Sequence, residues 1–173
     1  CKLCGADGGS KAHEAEKYVS VSETQHDIFC VCGKKLGTEE HAMQYNPNPD
    51  GLTHRKSCNR CGWTSADEQH DFQNGACVCD IEKSAEYGGQ EYASLQTAIN
   101  AAAADGGTVT LARDVSENVT VAGGTVTVDL NRNQWSASIS AAPNLWGLIP
   151  LTVTGGSVTL ENGTLDQGHT SSM

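Results

Sequence analysis

Cysteine and histidine recur at fixed distances in the first half of this chain, and that spacing restricts its fold more than any other feature. Three times the sequence reads Cys, one or two residues, Cys-Gly, then a histidine nine positions after the second cysteine. The three instances are Cys1 and Cys4 to His13, Cys30 and Cys32 to His41, and Cys58 and Cys61 to His70. A second interval interlocks with the first. His13 to His26 and His41 to His54 are both 13 apart, and His26 to Cys30 and His54 to Cys58 are both four apart. The unit His-x12-His-x3-Cys-x(1,2)-Cys-Gly-x7-His therefore repeats every 28 or 29 residues, and a shortened copy closes it with His70, Cys77 and Cys79. The rule places all eight cysteines and five of the six histidines, with His169 in a polar tail as the exception.

These ligand types point to metal. A Cys-x2-Cys knuckle lets two thiolates converge on one cation, and imidazoles complete a tetrahedron at about 2.0–2.3 Å from zinc. Between His41 and His54 the sequence predicts a strand, then turn chemistry over Asn46–Gly51, then a returning strand. A hairpin of that kind is expected to set His41 and His54 side by side. Two registers fit. In one, the sites are His13, His26, Cys30, Cys32 and His41, His54, Cys58, Cys61, with Cys1 and Cys4 belonging to a truncated copy. In the other, the sites run Cys-Cys-His-His from Cys1, and the last is Cys58, Cys61, His70 with Cys77 or Cys79. The first is favoured because a hairpin and a three-residue link join its ligands. Two or three structural zinc ions follow from either. The glycines after Cys4, Cys32 and Cys61 suit a tight knuckle backbone. Glu39-Glu40 and Asp67-Glu68, just ahead of His41 and His70, are either partners for the outer imidazole nitrogens or part of a solvated face.

Disulfides are the alternative staple, since an even set of cysteines in an exported chain normally oxidises. They give no reason for histidines at fixed intervals. Four protein ligands per ion leave no open position for water or substrate, so the sites read as structural. No βαβ pattern surrounds a knuckle, which argues against a redox enzyme.

The stretch from Glu40 to Asp80 carries Tyr-x-x-Asn-x-Asp-Gly-x-Thr-His, Cys-x2-Cys-Gly, His-x-Phe-x-Asn-Gly and a closing Cys-x-Cys. It resembles the cysteine/histidine repeats of secreted surface proteins of Gram-positive bacteria. The resemblance covers about the first 80 residues and implies an extracellular or cell-wall setting.

Past residue 80 there is no cysteine, and the texture changes. The segment Ser84–Gly89 reads as a joint between a metal-binding module, residues 1–82, and a second module, residues 83–173. Ser94 through Ala104 predicts an amphipathic helix with Leu95, Ala98, Ile99 and Ala102 on one face, Ser94 as its N-cap and Asp105-Gly106-Gly107 as its stop. Three similar phrases follow, at residues 106–111, 123–128 and 155–160, each Gly-Gly then alternating Thr, Ser, Val or Leu. Asn118–Val121 and Leu151–Thr154 alternate likewise, and Trp135–Pro150 reads as a loop. Short alternating strands suit a sandwich or a solenoid. The helix followed by near-identical strand phrases favours a solenoid, whose open end needs a cap. The run from Tyr92 to Asn131 resembles the N-terminal cap and first coils of right-handed parallel β-helix proteins of the pectate-lyase-like type. The fold class expected is thus mainly β: small zinc-stapled hairpin repeats, then a capped right-handed parallel β-helix fragment.

Composition narrows the function. Only nine Phe, Trp and Tyr accompany 19 Gly, so the core is thin and needs staples. The net charge is −10, and both halves are acidic, which leaves no basic face for nucleic acid. No stretch reaches the ~20 apolar residues of a membrane span. The start inside a motif suggests a piece of a longer protein. Carboxylates past the helix show no repeated offset, although Asp129 and Asp166 could project near one another. The expected role is non-catalytic: a structural or adhesive region that meets a host protein, for example an immunoglobulin, or a glycan, with Trp63, Trp135 or Trp146 as candidate anchors. The alternative is the front of a polysaccharide-degrading β-helix enzyme whose active site lies in later coils.

Overall fold

In a computed structural model the chain is mainly β, with one helix among the described residues, which are 12–138 and 149–166. Cys1, Cys4, Trp146 and His169 lie outside the described residues. Two compact units form: Cys1–Pro47 with His54–Glu68, and Asn48–Thr53 with Gln69–Met173. They do not coincide with the modules suggested by composition. Ser84–Gly89 is not a free joint, because Ala85 is fully buried and Ser84 N donates to Tyr92 O at 2.8 Å. The last knuckle is tied to the same stretch, with Ala76 bridged to Glu82 and Lys83 N donating to Gly75 O at 2.8 Å.

The first unit is built from hairpins. Strands β1 (Lys17–Ser20), β2 (Gln25–Phe29) and β3 (Lys35–Glu40) form an antiparallel sheet in that order. Ser20 stands opposite His26, and His26 opposite Glu39. Strands β4 (Met43–Pro47) and β5 (Thr53–Cys58) pair antiparallel, and the two-residue β6 (Glu68–Gln69) follows. The interior of this unit is unusual. Among its described residues the buried side chains are His26, Cys30, His41, His54 and Cys58, with no Leu, Ile, Val or Phe among them. Hydrophobic burial, ordinarily the main favourable contribution to folding, is nearly missing here.

The second unit has a conventional apolar core. Strands β7 (Ala85–Tyr87) and β8 (Gln90–Tyr92) form a hairpin and lead into helix α1 (Leu95–Asp105). The helix starts and stops as its sequence predicts: the Ser94 side chain accepts from Thr97 N, and Gly106 closes it at φ 79°. Leu95, Ala98, Ile99 and Ala102 are the buried face. Glu117 adds a second cap, accepting from Leu95 N and Gln96 N at 3.0 and 3.2 Å, where the helix dipole favours negative charge.

Beyond α1 come β9 (Thr108–Leu111), β10 (Val115–Ser116), β11 (Val119–Val121), β12 (Thr125–Asp129), β13 (Gln134–Ser136), β14 (Leu151–Val153), β15 (Ser157–Glu161) and β16 (Thr164–Asp166). Their pairings with one another are parallel. β9, β12 and β15 are neighbours, as are β10, β13 and β16, and β11 with β14. The Gly-Gly phrases suggest Thr108 level with Thr125, but Thr108 pairs with Thr127. A shift of two residues keeps every side chain on its face, so Val109, Leu111, Val126 and Val128 all stay fully buried. Trp135, read in sequence as the start of a loop, lies in β13. It is fully buried, and its Nε1 donates to Glu117 O at 2.9 Å. Gln96 completes the arrangement: its side-chain amide donates to Thr120 O and accepts from Thr120 N, at 3.0 and 2.7 Å, as a neighbouring strand would.

Candidate metal centres

Each knuckle is a tight turn closing the end of a strand. Cys30 N donates to Lys34 O and Gly33 N returns to Cys30 O, with Gly33 at φ 83°. Cys58 N donates to Trp63 O and Gly62 N returns to Cys58 O, with Gly62 at φ 74°. In the last copy Cys77 N donates to Ile81 O, and Asp80, at φ 64°, takes the left-handed position that glycine holds in the others. Only that conformation lets the chain fold back so soon after the second cysteine.

Strand register then chooses the histidines. In the β4–β5 hairpin Met43 faces Cys58, so the chain just ahead of β4 lies beside the 58–61 knuckle. His41 is there. His54 faces Pro47 at the far end of the same ladder, because β4 runs on through Asn46 and Pro47 before the chain turns. The expectation that this hairpin sets His41 and His54 side by side is therefore wrong. His41 instead meets His26, which the β2–β3 register carries to the same end. The β1–β2 hairpin repeats the β4–β5 arrangement: His13, ahead of β1, meets Cys30 and Cys32 after β2.

The resulting groups match neither expected register. His26, His41, Cys58 and Cys61 bring one ligand atom each within 4.8 Å of the others, and so do His13, Cys30 and Cys32. In the second unit His70, Cys77 and Cys79 converge in the same way, with His70 Nδ1 3.4 Å from Cys79 Sγ. His54 is buried in the first unit, its ring edge-on to Tyr45 and its Nε2 4.0 Å from the Glu68 carboxylate. None of the six described cysteines is in a disulfide.

The group around His26 is the most informative. His26 Nδ1 and His41 Nδ1 are 3.2 Å apart, Cys58 Sγ is 3.6 Å from His26 Nδ1, and Cys61 Sγ is 3.4 Å from His41 Nδ1. A tetrahedral N2S2 site with ordinary zinc bond lengths has N–N and N–S edges of about 3.3 and 3.6 Å. The outer nitrogens fix the tautomers. His41 Nε2 meets Ser22 O at 3.0 Å and His26 Nε2 meets Glu39 Oε1 at 2.9 Å. Both partners accept only, so both outer nitrogens donate. A neutral ring then presents a lone pair at Nδ1, and two such lone pairs face each other beside two sulfurs. That arrangement requires cations in its midst, protons or a metal ion.

Electrostatics agree. Burial works to raise the Cys58 thiol, but hydrogen bonds from Cys61 N, Arg60 N and the His41 and Cys61 side chains outweigh it and lower its pKa to about 6. Burial pushes the neighbouring Cys61 thiol up. The hydrogen bond to His26 holds Glu39 below the usual carboxylate range, against some desolvation and with help from Arg60.

Glu39, named in sequence as a possible partner, does hold an imidazole, though that of His26 and not of nearby His41. Sequence spacing gave no sign of Arg60, Tyr18 or Trp63 around the site. Arg60 binds Glu39 and lies over the Tyr18 ring at 5.6 Å, while Trp63 stacks on His41. Neither described tryptophan is an exposed anchor: Trp135 is core and Trp63 stacks on His41. Asp129 and Asp166 lie in different sheets, the first accepting from Asn162 and the second from Gln134.

Among the described residues no helix is long and apolar enough to cross a membrane. No family model matches the chain, and no curated protein and no solved structure is similar to it.

Proposed function

We propose that the chain is a zinc-stapled structural and binding region of a secreted bacterial surface protein. The observation that carries the metal reading is the opposed Nδ1 atoms of His26 and His41, closed in by Cys58 and Cys61 in a buried tetrahedral group. Nitrogen and thiolate donors in that geometry suit zinc, which needs no empty coordination position for a structural role. Folding economy argues the same way. The first unit buries histidine and cysteine where other domains bury leucine, so the free energy of metal binding takes the place of a core. His54 occupies in the repeat the position of His26, 16 residues ahead of His70 as His26 is 15 ahead of His41, and by that rule it is a ligand too.

The second unit reads as the capped start of a right-handed parallel β-helix. Support comes from parallel pairings at offsets of 19 to 20 residues, as Val109 with Val128 and Val115 with Trp135, then 30 to 32, as Trp135 with Leu165 and Val119 with Leu151. The helix covers one end, and Gln96 stands in for a missing strand. The resemblances to surface-protein repeats and to pectate-lyase-like caps agree with an extracellular or cell-wall setting. A host protein or glycan is the partner class. Neither unit assembles a convergent acid, base and nucleophile among the described residues, so the region itself is read as non-catalytic.

The test is metal content and a free-thiol count on the purified chain, with and without chelator, beside Cys58→Ser. Zinc at two or three per chain, thiols that react only after chelation, and loss of amide protection in the first unit but not in α1 of the variant are expected. A chain with no metal, whose protection ignores both chelator and Cys58→Ser, would sink the reading.

A further inference from the structure

A ligand imidazole is only as well placed as its outer nitrogen, and in the first unit one carboxylate is bonded to such a nitrogen and a second lies near another. His26 is fully buried and its Nε2 donates to Glu39 at 2.9 Å. The Arg60 guanidinium holds Glu39 from the other side and lies 5.6 Å over the ring of Tyr18, whose edge meets His26 with centroids 5.2 Å apart. A looser version stands one copy later: His54 Nε2 lies 4.0 Å from Glu68 Oε2, beyond hydrogen-bond distance, and Lys56 Nζ holds Glu68 at 2.9 Å. Glu39 and Glu68 each stand two residues before the next histidine of the repeat, His41 and His70.

We infer that Glu39 is a positioning residue of its metal centre, the carboxylate fixing the His26 imidazole with its proton on Nε2 and its lone pair on Nδ1, and that Glu68, at the same place in the repeat, closes on His54 in the same way when metal binds. A cation, Arg60 or Lys56, keeps each carboxylate in place. The inference rests on the metal reading above. A merely solvated surface pair explains Arg60 with Glu39, but not why the carboxylate is bound by the Nε2 of a fully buried ring, nor why a Glu two residues before a histidine faces a buried imidazole in both copies. The consequence is chemical as well as geometric. A carboxylate partner increases the donor strength of the imidazole, and losing such a partner typically weakens metal binding by about 10–100-fold.

The experiment uses the whole chain and cobalt(II) or zinc in competition with a chromophoric chelator, comparing wild type with Glu39→Gln, Glu68→Gln and the neighbouring control Glu40→Gln. Glutamine keeps size and can still accept from Nε2, so folding and stoichiometry should persist while affinity at one site drops by about 10-fold or more. The His26 Nε2–H proton resonance should also move upfield in Glu39→Gln, a signature that a packing role would leave unchanged. Glu39→Asp should recover part of the affinity. Glu40→Gln should match wild type in both readouts. Should Glu39→Gln and Glu68→Gln bind metal within about twofold of wild type, with the His26 resonance in place, the inference is overturned while the metal reading stands. A wild-type chain that takes up no metal overturns both.

Discussion

The imidazole of His41 lies flat against the indole of Trp63, ring centroids 5.1 Å apart and planes inclined by 12°. The stack covers one face of a buried ligand ring whose two nitrogens are engaged, Nε2 by Ser22 O and Nδ1 by the cysteine group. Trp63 is thus in direct contact with a ring that a metal bound at this group would charge. Loading the metal-free chain with zinc should change its tryptophan emission, and Trp63→Phe should abolish most of that change with little loss of affinity. Trp135, in the core of the other unit, should contribute none of it. An emission change that survives in Trp63→Phe would count against a metal held by His41.

Acidification provides a second check. The Cys58 thiol has its folded-state pKa lowered from 9.0 to about 6, so the stabilisation its thiolate gives is fully present above the ordinary thiol range and is lost as pH falls through about 6. The same protons compete with the metal for sulfur and for Nδ1. Metal should stay bound at pH 7 and be released on acidification, below the pKa of the metal-free Cys58 thiol because bound metal itself competes with the protons, with the first unit losing protection in step. Release followed with a chromophoric indicator, alongside amide exchange, measures both. A metal affinity that does not fall as the pH is lowered, with the sheet intact, would mean that these thiolates are not what holds it.

Adjacent glycines give a stability test in the second unit. A Cβ on Gly124, at φ 77°, would lie 2.0 Å from Ala103 O, whereas a Cβ on Gly123 meets nothing within 4 Å. Gly156, at φ 80°, is placed against Gly124 in the same way, its Cβ 2.0 Å from Gly124 O. Gly124→Ala should therefore destabilise the second unit by more than the ~1–3 kcal/mol of left-handed strain alone, and Gly123→Ala should be close to neutral. Thermal melts of the two variants decide it. Equal effects would mean that the strands stack differently.

Much of this was legible in the residues. Local chemistry told the truth about α1, its Ser94 and Gly106 caps and its buried face, and about the strands at 108–111 and 151–153. The knuckle glycines at 33 and 62 sit at the positive φ their positions suggested. What spacing alone left undetermined was which histidines meet which knuckle. That depends on where β4 ends and turns, and the Asn46-Pro47-Asn48-Pro49 run disguised two strand residues as turn. Moving the turn moved His54 to the opposite end of the ladder from His41. β10, β13 and β16 were missed because each carries a single apolar residue, Val115, Trp135 or Leu165, and so shows no alternation, whereas the equally short β11 and β14 carry two. Arg60, Tyr18 and Trp63 come to the site only through cross-strand neighbours, and Ser22 contributes a backbone carbonyl that no side-chain pattern reports.

The ligand groups of the first unit overlap along the chain: one draws on residues 13 to 32, the other on 26 to 61. With an ion in each, any single peptide bond broken between His13 and Cys61 leaves both pieces tethered. Exposed turns such as Val21–Thr24 are where peptidases cut first. A nick there detaches nothing while the ions remain, and the same nick becomes a severance once a chelator removes them. Susceptibility to degradation in this region would thus be set less by which bonds are accessible than by how much metal the surroundings supply.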